Sequence, residues 1–388
     1  MMLSFPSSAR SGRRHQGLVH GRPSSRVPAL VLFLAFLGSA AGCGEAPVTA
    51  TAVPTPTPDW SHWSSPEAGG MSAEGLAQVE AHLGGMSSSA MMVITGGQVA
   101  YAYGDLTEVS YLASVRKTIL ALLYGIEVDR GRIDLDRTLA DVGLEEHGGF
   151  TDEEREARIR HVIAARSGIH LPASNSGDDL ASAPERGSVA PGSYYLYSNW
   201  DFNAAGTLFE LETGRDLFDA LEAELAGPLG FQDFDRTRHV KGGNLEVSMH
   251  PSYHMHFSTR DMARLGELML RGGRWGQTQV VSAEWIAEMT SPLTPVTEMN
   301  PTRRRDGPHG YGYMTWVWDG PAATGPYVGA YTGVGAVGQY ITVLPALDMV
   351  VAHKTVPGDG RRVAHPEFWQ LLEMVVEAHC GAACTPGA

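Results

Sequence analysis

Apolar and polar positions along this chain follow two kinds of pattern, and their order is informative. Residues 91–95 and 98–103 are short runs rich in β-branched and aromatic side chains on either side of Gly96-Gly97, which predicts a β-hairpin closed by a glycine turn. Residues 340–344 and 349–353 are two more apolar runs of strand length, parted by residues 345–348. Between these ends, apolar residues recur at helical spacing in 114–128, 152–165, 200–211, 217–225, 259–270 and 283–289. Further helices are expected over 73–83 and from Pro366 to about 379. Strands at both ends around a helical middle predict an α/β chain of the α+β type. One antiparallel sheet, flanked by helices, is built from both termini, with an all-helical subdomain inserted.

The ends of the chain read differently. Arg10, Arg13, Arg14, Arg22 and Arg26, with no acid, precede an apolar run over 27–37 and the small residues 38–42, the build of an export signal. Small residues directly before Cys43 resemble a bacterial lipobox, in which that cysteine is lipidated and anchors the protein to a membrane; a simple cleaved secretory signal is the alternative. Residues 43–70, with Thr55-Pro56-Thr57-Pro58, are expected to form an extended tether, leaving 71–388 as the folded domain. Cys380 and Cys384 are either a local disulfide or two thiols, and their spacing is no metal site. The formal net charge of the chain is −14, and the basic first 42 residues make the remainder still more acidic. That balance argues against nucleic-acid binding.

Candidate chemistry starts at Ser114-Val115-Arg116-Lys117. Ser114 falls at the start of an apolar helix, where a serine also serves as an N-cap. The i, i+3 spacing puts Lys117 on the same face. A buried lysine loses solvation, its pKa falls, and it becomes a proton acceptor. The chain has only three lysines (Lys117, Lys241, Lys354) among 29 basic residues, so a lysine on an apolar helix points to a role that arginine cannot fill. A second element is Tyr197-Ser198-Asn199. A tyrosine beside cations is expected to have a lowered pKa and to take the serine proton, while Asn199 holds the lysine or a substrate amide.

In this order and at about this separation, the two motifs resemble those of the serine β-lactamase-like hydrolases: class C β-lactamases, D-alanyl-D-alanine carboxypeptidases, related esterases and 6-aminohexanoate-dimer hydrolases. The resemblance runs over residues 71–372. It takes in Ile159-Arg160-His161-Val162-Ile163, Ser167-Gly168-Ile169, Gly227-Pro228-Leu229-Gly230-Phe231, and the helix opening at Ser258-Thr259-Arg260-Asp261-Met262. It implies Ser114 as acylated nucleophile, Lys117 and Tyr197 as the acid/base pair, and Asn199 as a positioning residue. The backbone N–H of Ser114 would be half of an oxyanion hole, and no cofactor or metal is called for.

The third family element departs. In place of Lys-Thr-Gly or His-x-Gly stands Tyr331-Thr332-Gly333-Val334-Gly335-Ala336-Val337-Gly338-Gln339. Tyr331 and Gly333 are expected to position substrate, and Gly335 and Ala336 to furnish the second oxyanion donor. Lys354-Thr355 falls one strand too late for this role. A neutral tyrosine where relatives carry a cation favours a neutral ester or amide over a β-lactam. The expected function is an exported serine hydrolase acting on a small ester, amide or peptide. The rivals are a cell-wall carboxypeptidase or class C-type β-lactamase, and a non-catalytic envelope-binding protein. His250, His254 and His256 are expected to form a polar rim, and Arg303-Arg304-Arg305 a solvated loop. The aromatic run from Gly310 to Trp318 suits a pocket wall or a core strand equally.

Overall fold

The structure, a computed structural model, describes residues 59–380. The export signal, Cys43, the tether up to residue 58 and Cys384 lie outside the described residues. No helix among the described residues is long and apolar enough to cross a membrane.

Seven strands form one antiparallel sheet. They are β1 (Ala90–Thr95), β2 (Gln98–Gly104), β3 (His309–Tyr311), β4 (Trp316–Trp318), β5 (Tyr331–Gly335), β6 (Gln339–Leu344) and β7 (Met349–Lys354). Their spatial order is β2-β1-β7-β6-β5-β4-β3. The N-terminal hairpin thus joins the C-terminal strands through the β1–β7 pair, in register from Ala90 opposite Lys354 to Thr95 opposite Met349. The sheet expected from both chain ends is present.

Its strands read as continuous apolar runs because both faces are buried. Met91, Val93, Tyr340, Leu344 and Val351 pack with helices α1 (Ala73–Gly84) and α6 (His365–Cys380). Met92, Ile94, Ile341, Val343 and Val350 face the opposite way, into the larger core. That core holds α2 (Val115–Asp129), α3 (Asn199–Thr213), α4 (Thr259–Leu270) and α5 (Ala283–Met289). Helix α2 is buried on every side from Val115 to Glu127, because it is wedged between the sheet and the inserted helices.

Two expectations change. The helix expected over 152–165 is two short ones, Asp152–Arg155 and Ile159–Ile163. Between them the backbone is drawn into bridging bonds, Leu139 N–H to Ala157 O at 2.8 Å and Ile159 N–H to Arg137 O at 3.0 Å. The Glu154 carboxylate meanwhile caps the first helix and accepts from Arg186 at 2.7 Å. Residues 59–70, read from composition as tether, pack on the fold. Val99 N–H donates to Ser61 O and Trp63 N–H to Val99 O, so this segment covers the edge of β2. The Trp63 indole N–H donates to Thr95 O at 2.9 Å, and that of Trp60 to Arg260 O at 3.2 Å. Two tryptophans give the segment enough apolar area to outweigh its polar neighbours.

Candidate active site

The turn between the short strand Ser110–Tyr111 and α2 places Ser114. Ala113 takes a left-handed φ of 48°, which turns the chain sharply into the helix. Ser114 becomes the residue before the first helical turn, yet its side chain makes no capping bond. The hydroxyl instead lies 2.8 Å from Lys117 Nζ.

Lys117 is the hub. Its side chain is buried, and Nζ lies 2.6 Å from Tyr197 OH and 2.8 Å from Asn199 Oδ1. The Tyr197 and Phe202 rings lie 4.4 and 4.5 Å from Nζ. Asn199 opens α3 and is fixed from three sides. Its Nδ2 donates to Ser176 O and its backbone N–H to Asp178 Oδ2, both at 2.9 Å, leaving Oδ1 for the lysine. Arg116, also buried, donates to Asn203 Oδ1 at 2.9 Å and has no carboxylate partner among the described residues. Desolvation, then the charge of Arg116, hold the Lys117 amine well below the ordinary lysine value. A neutral amine has two N–H groups and one lone pair for its three partners. Asn199 Oδ1 must accept, so the lone pair faces a hydroxyl.

Tyr197 departs from its sequence expectation. Burial raises its pKa, and this outweighs the lowering by Ser114, Arg116 and Arg304. The phenol therefore holds its proton more tightly, and of the two groups the Lys117 amine is the one able to accept a proton. The Trp316 ring stacks on Tyr197 at 5.4 Å, while Tyr311 lies beneath it in the core. The aromatic run is thus part pocket wall and part core.

The third motif packs against the start of α2 and the turn before it. A Cβ on Gly335 would meet Leu112 O at 2.5 Å, and one on Gly333 would meet Thr118 Oγ1 at 3.1 Å. These glycines serve the close approach of β5 to α2 rather than of substrate to backbone. Tyr331 is buried in the larger core. Within the run 331–336 only Ala336, at the hairpin tip, is exposed. Neither the Ser114 nor the Ala336 N–H has a backbone acceptor among the described residues. Gly335→Ala is expected to cost about 1–3 kcal/mol by forcing β5 off α2, and to slow turnover with it. A thermal melt and a rate unchanged from wild type would refute this.

The hairpin tip has its own clamp. His353 is buried, with Nδ1 2.9 Å from Gly338 O and Nε2 2.7 Å from Ser88 Oγ. Since Gly338 O only accepts, Nδ1 carries the proton and Nε2 accepts from the serine. Burial pushes this imidazole down to about 4, against the bond to Gly338 O, which raises it. The unfolded chain therefore binds a proton below about pH 6.5 that the folded chain refuses. The stability held by this group is complete above that pH and is lost as pH falls towards 4. Between pH 7 and 5 the wild type is expected to lose about 2 kcal/mol more than His353→Asn, read from denaturant midpoints. Equal losses would refute it.

The remaining candidates are dispersed. Lys354 is buried but caps the carbonyls of Glu108 and Phe257, and burial brings it down to about 8. His254 and His256 flank Tyr111, at ring distances of 5.1 and 5.6 Å, whereas His250 is core, packed on Trp200. The arginine run is a short helix, Thr302–Asp306, rather than a loop, and Arg303 and Arg305 remain solvated as expected. Arg304 Nε donates to the buried Asp179 at 2.6 Å, and its guanidinium lies 5.1 Å from the Trp316 ring. Sequence reasoning gave Arg116, Asn203 and Arg304 no part in the site, while Trp316 fell within the aromatic run offered as a pocket wall. Of these three, Asn203, four residues after Asn199 on one helix face, left a local signal.

A sheet covered on both faces, with a serine and a buried lysine at the start of its central helix, defines the class as β-lactamase-like. The chain belongs to the β-lactamase family, which it matches over residues 76–361 and whose members are serine hydrolases. The fold is shared with a protein described as a 6-aminohexanoate-dimer hydrolase from Bacillus anthracis, at 17% identity and a TM-score of 0.58 over 76% of this chain and 80% of that one. It is shared with a family VIII carboxylesterase, at 14% identity and 0.58 over 79% and 98%. A penicillin-binding protein homologue from Caulobacter crescentus also has it, at 17% identity and 0.56 over 79% and 98%. No curated protein matches the chain.

Proposed function

We propose that this protein hydrolyses a small ester or amide through an acyl-enzyme on Ser114. The observation that carries the reading is the buried Lys117 amine, within 2.8 Å of Ser114, Tyr197 and Asn199 at once. The Ser114 proton passes to the Lys117 lone pair as Oγ bonds to the substrate carbonyl carbon. The N–H groups of Ser114 and Ala336 hold the oxyanion. Tyr197 gives its proton to the leaving oxygen or nitrogen, is reprotonated from Lys117, and the scissile bond breaks. Water then attacks the acyl carbon, gives its proton to the same pair, and frees Ser114.

The family membership and the carboxylesterase-like fold support an ester or amide substrate. Export, with a lipid on Cys43 holding the enzyme at the cell envelope, completes the proposal and rests on the N-terminal sequence alone. A fluorophosphonate probe should label one residue, Ser114, as located by peptide mapping. A label on another serine, or none, refutes the reading. A long-lived penicilloyl adduct at Ser114 would instead favour the carboxypeptidase branch.

A further inference from the structure

The chemistry above leaves the helix Thr302–Asp306 without a role, although it lines a cavity next to Tyr197. The cavity has a volume of about 280 Å³ and is lined by Arg303, Arg304, Gly307, His309 and Trp316. We propose that it is a subsite for a carboxylate on the leaving-group side of the substrate, received by Arg303 and Arg304. The proposal rests on the Ser114 reading and names its substrate class.

Charge comes first. Arg303 Nη2 and Arg304 Nε each donate to one oxygen of Asp179 at 2.6 Å. Two guanidinium groups share one buried carboxylate, so the cluster keeps a net positive charge that suits a monoanion. The Arg304 terminal nitrogens have no acceptor among the described residues, and the Arg303 side chain is 64% exposed at the rim. His309 also lines the cavity. Its Nε2 is buried without a hydrogen-bond partner in the wall of the same cavity. Desolvation, with a smaller effect of His365, brings this imidazole down to about 3, so it is neutral and Arg303 and Arg304 carry the charge.

Position gives the side. The Arg304 guanidinium lies 5.5 Å from the centre of the Tyr197 ring, and Trp316 stacks on that ring. In the proposed reaction Tyr197 is the proton donor to the leaving group, so an anion held beside its ring belongs to the departing half. The cation that the third motif lacks is supplied from another segment. An acidic chain thereby gains a local preference that its net charge of −14 hides.

The test is a matched pair, 3-acetoxybenzoate and its methyl ester, which share the acyl group and the ring. The wild type should favour the carboxylate about tenfold in kcat/KM, and the preference should shrink as salt is raised. Arg303→Gln should bring the ratio close to one, and Arg303→Lys should retain most of it. A wild-type ratio near one, or a preference that survives Arg303→Gln, overturns the subsite while Ser114-dependent hydrolysis stands. If Ser114→Ala still hydrolyses both esters, the reaction reading falls instead. If neither ester is turned over, calorimetric titration with 3-hydroxybenzoate reads the cavity directly. Binding weakened by Arg303→Gln supports the subsite, and no binding overturns it.

Discussion

Ser114→Ala removes at least about 10⁴-fold of kcat towards any substrate the wild type hydrolyses, because the atom that bonds to the carbonyl carbon is gone. The fold should hardly notice. Ser114 is half-buried, its hydroxyl caps nothing, and its partners are the side chains of Lys117 and Tyr197. A stability change within about 0.5 kcal/mol is expected, as for an ordinary half-exposed position. Measured together, a lost rate and an unmoved melt separate chemistry from folding. A variant that keeps wild-type turnover would mean that another group forms the covalent bond, or that none forms.

Lys117→Arg should be nearly as damaging, by about 10²–10⁴-fold. The guanidinium keeps its charge at every accessible pH and offers no lone pair to the Ser114 proton. The pH profile gives the sharper test. Lys117 is held well below the ordinary lysine value by desolvation and then by Arg116. The wild type is therefore active where Lys117 is neutral and loses activity on the acid side as it gains a proton. The Tyr197 phenol is raised by burial, so its own loss of a proton falls above pH 10. Activity should accordingly plateau on the alkaline side of the Lys117 titration. Arg116→Gln removes the second cause of the depression and should move the acid limb to higher pH. Residual activity in Lys117→Met should lack that limb. An acid limb that persists unchanged in Lys117→Met would assign it to another group.

Much of this was legible in local pattern. The strand runs at both ends and the helical periods between them predicted the sheet and its insertion, since burial on one face or two imposes a period that composition records. Ser114 and Lys117 were legible for a similar reason. Three residues on a helix is a fixed distance, and an apolar helix announces its burial. The break in the helix expected over 152–165 left no such mark. It arises from backbone bonds to residues 137–139, which are remote in sequence.

By itself, then, the sequence determined which elements form and that a serine and a lysine share one face at the start of a buried helix. Those are short-range consequences of side-chain periodicity and spacing. Only the tertiary structure decided what surrounds that pair. It set Arg116 without a carboxylate partner beside Lys117, raised rather than lowered the Tyr197 phenol by burying it, and turned the third-motif glycines towards α2. It also brought Arg304 to the buried Asp179, far from it in sequence. Each is a matter of desolvation or of contact between distant segments, and neither quantity exists until the chain has closed on itself.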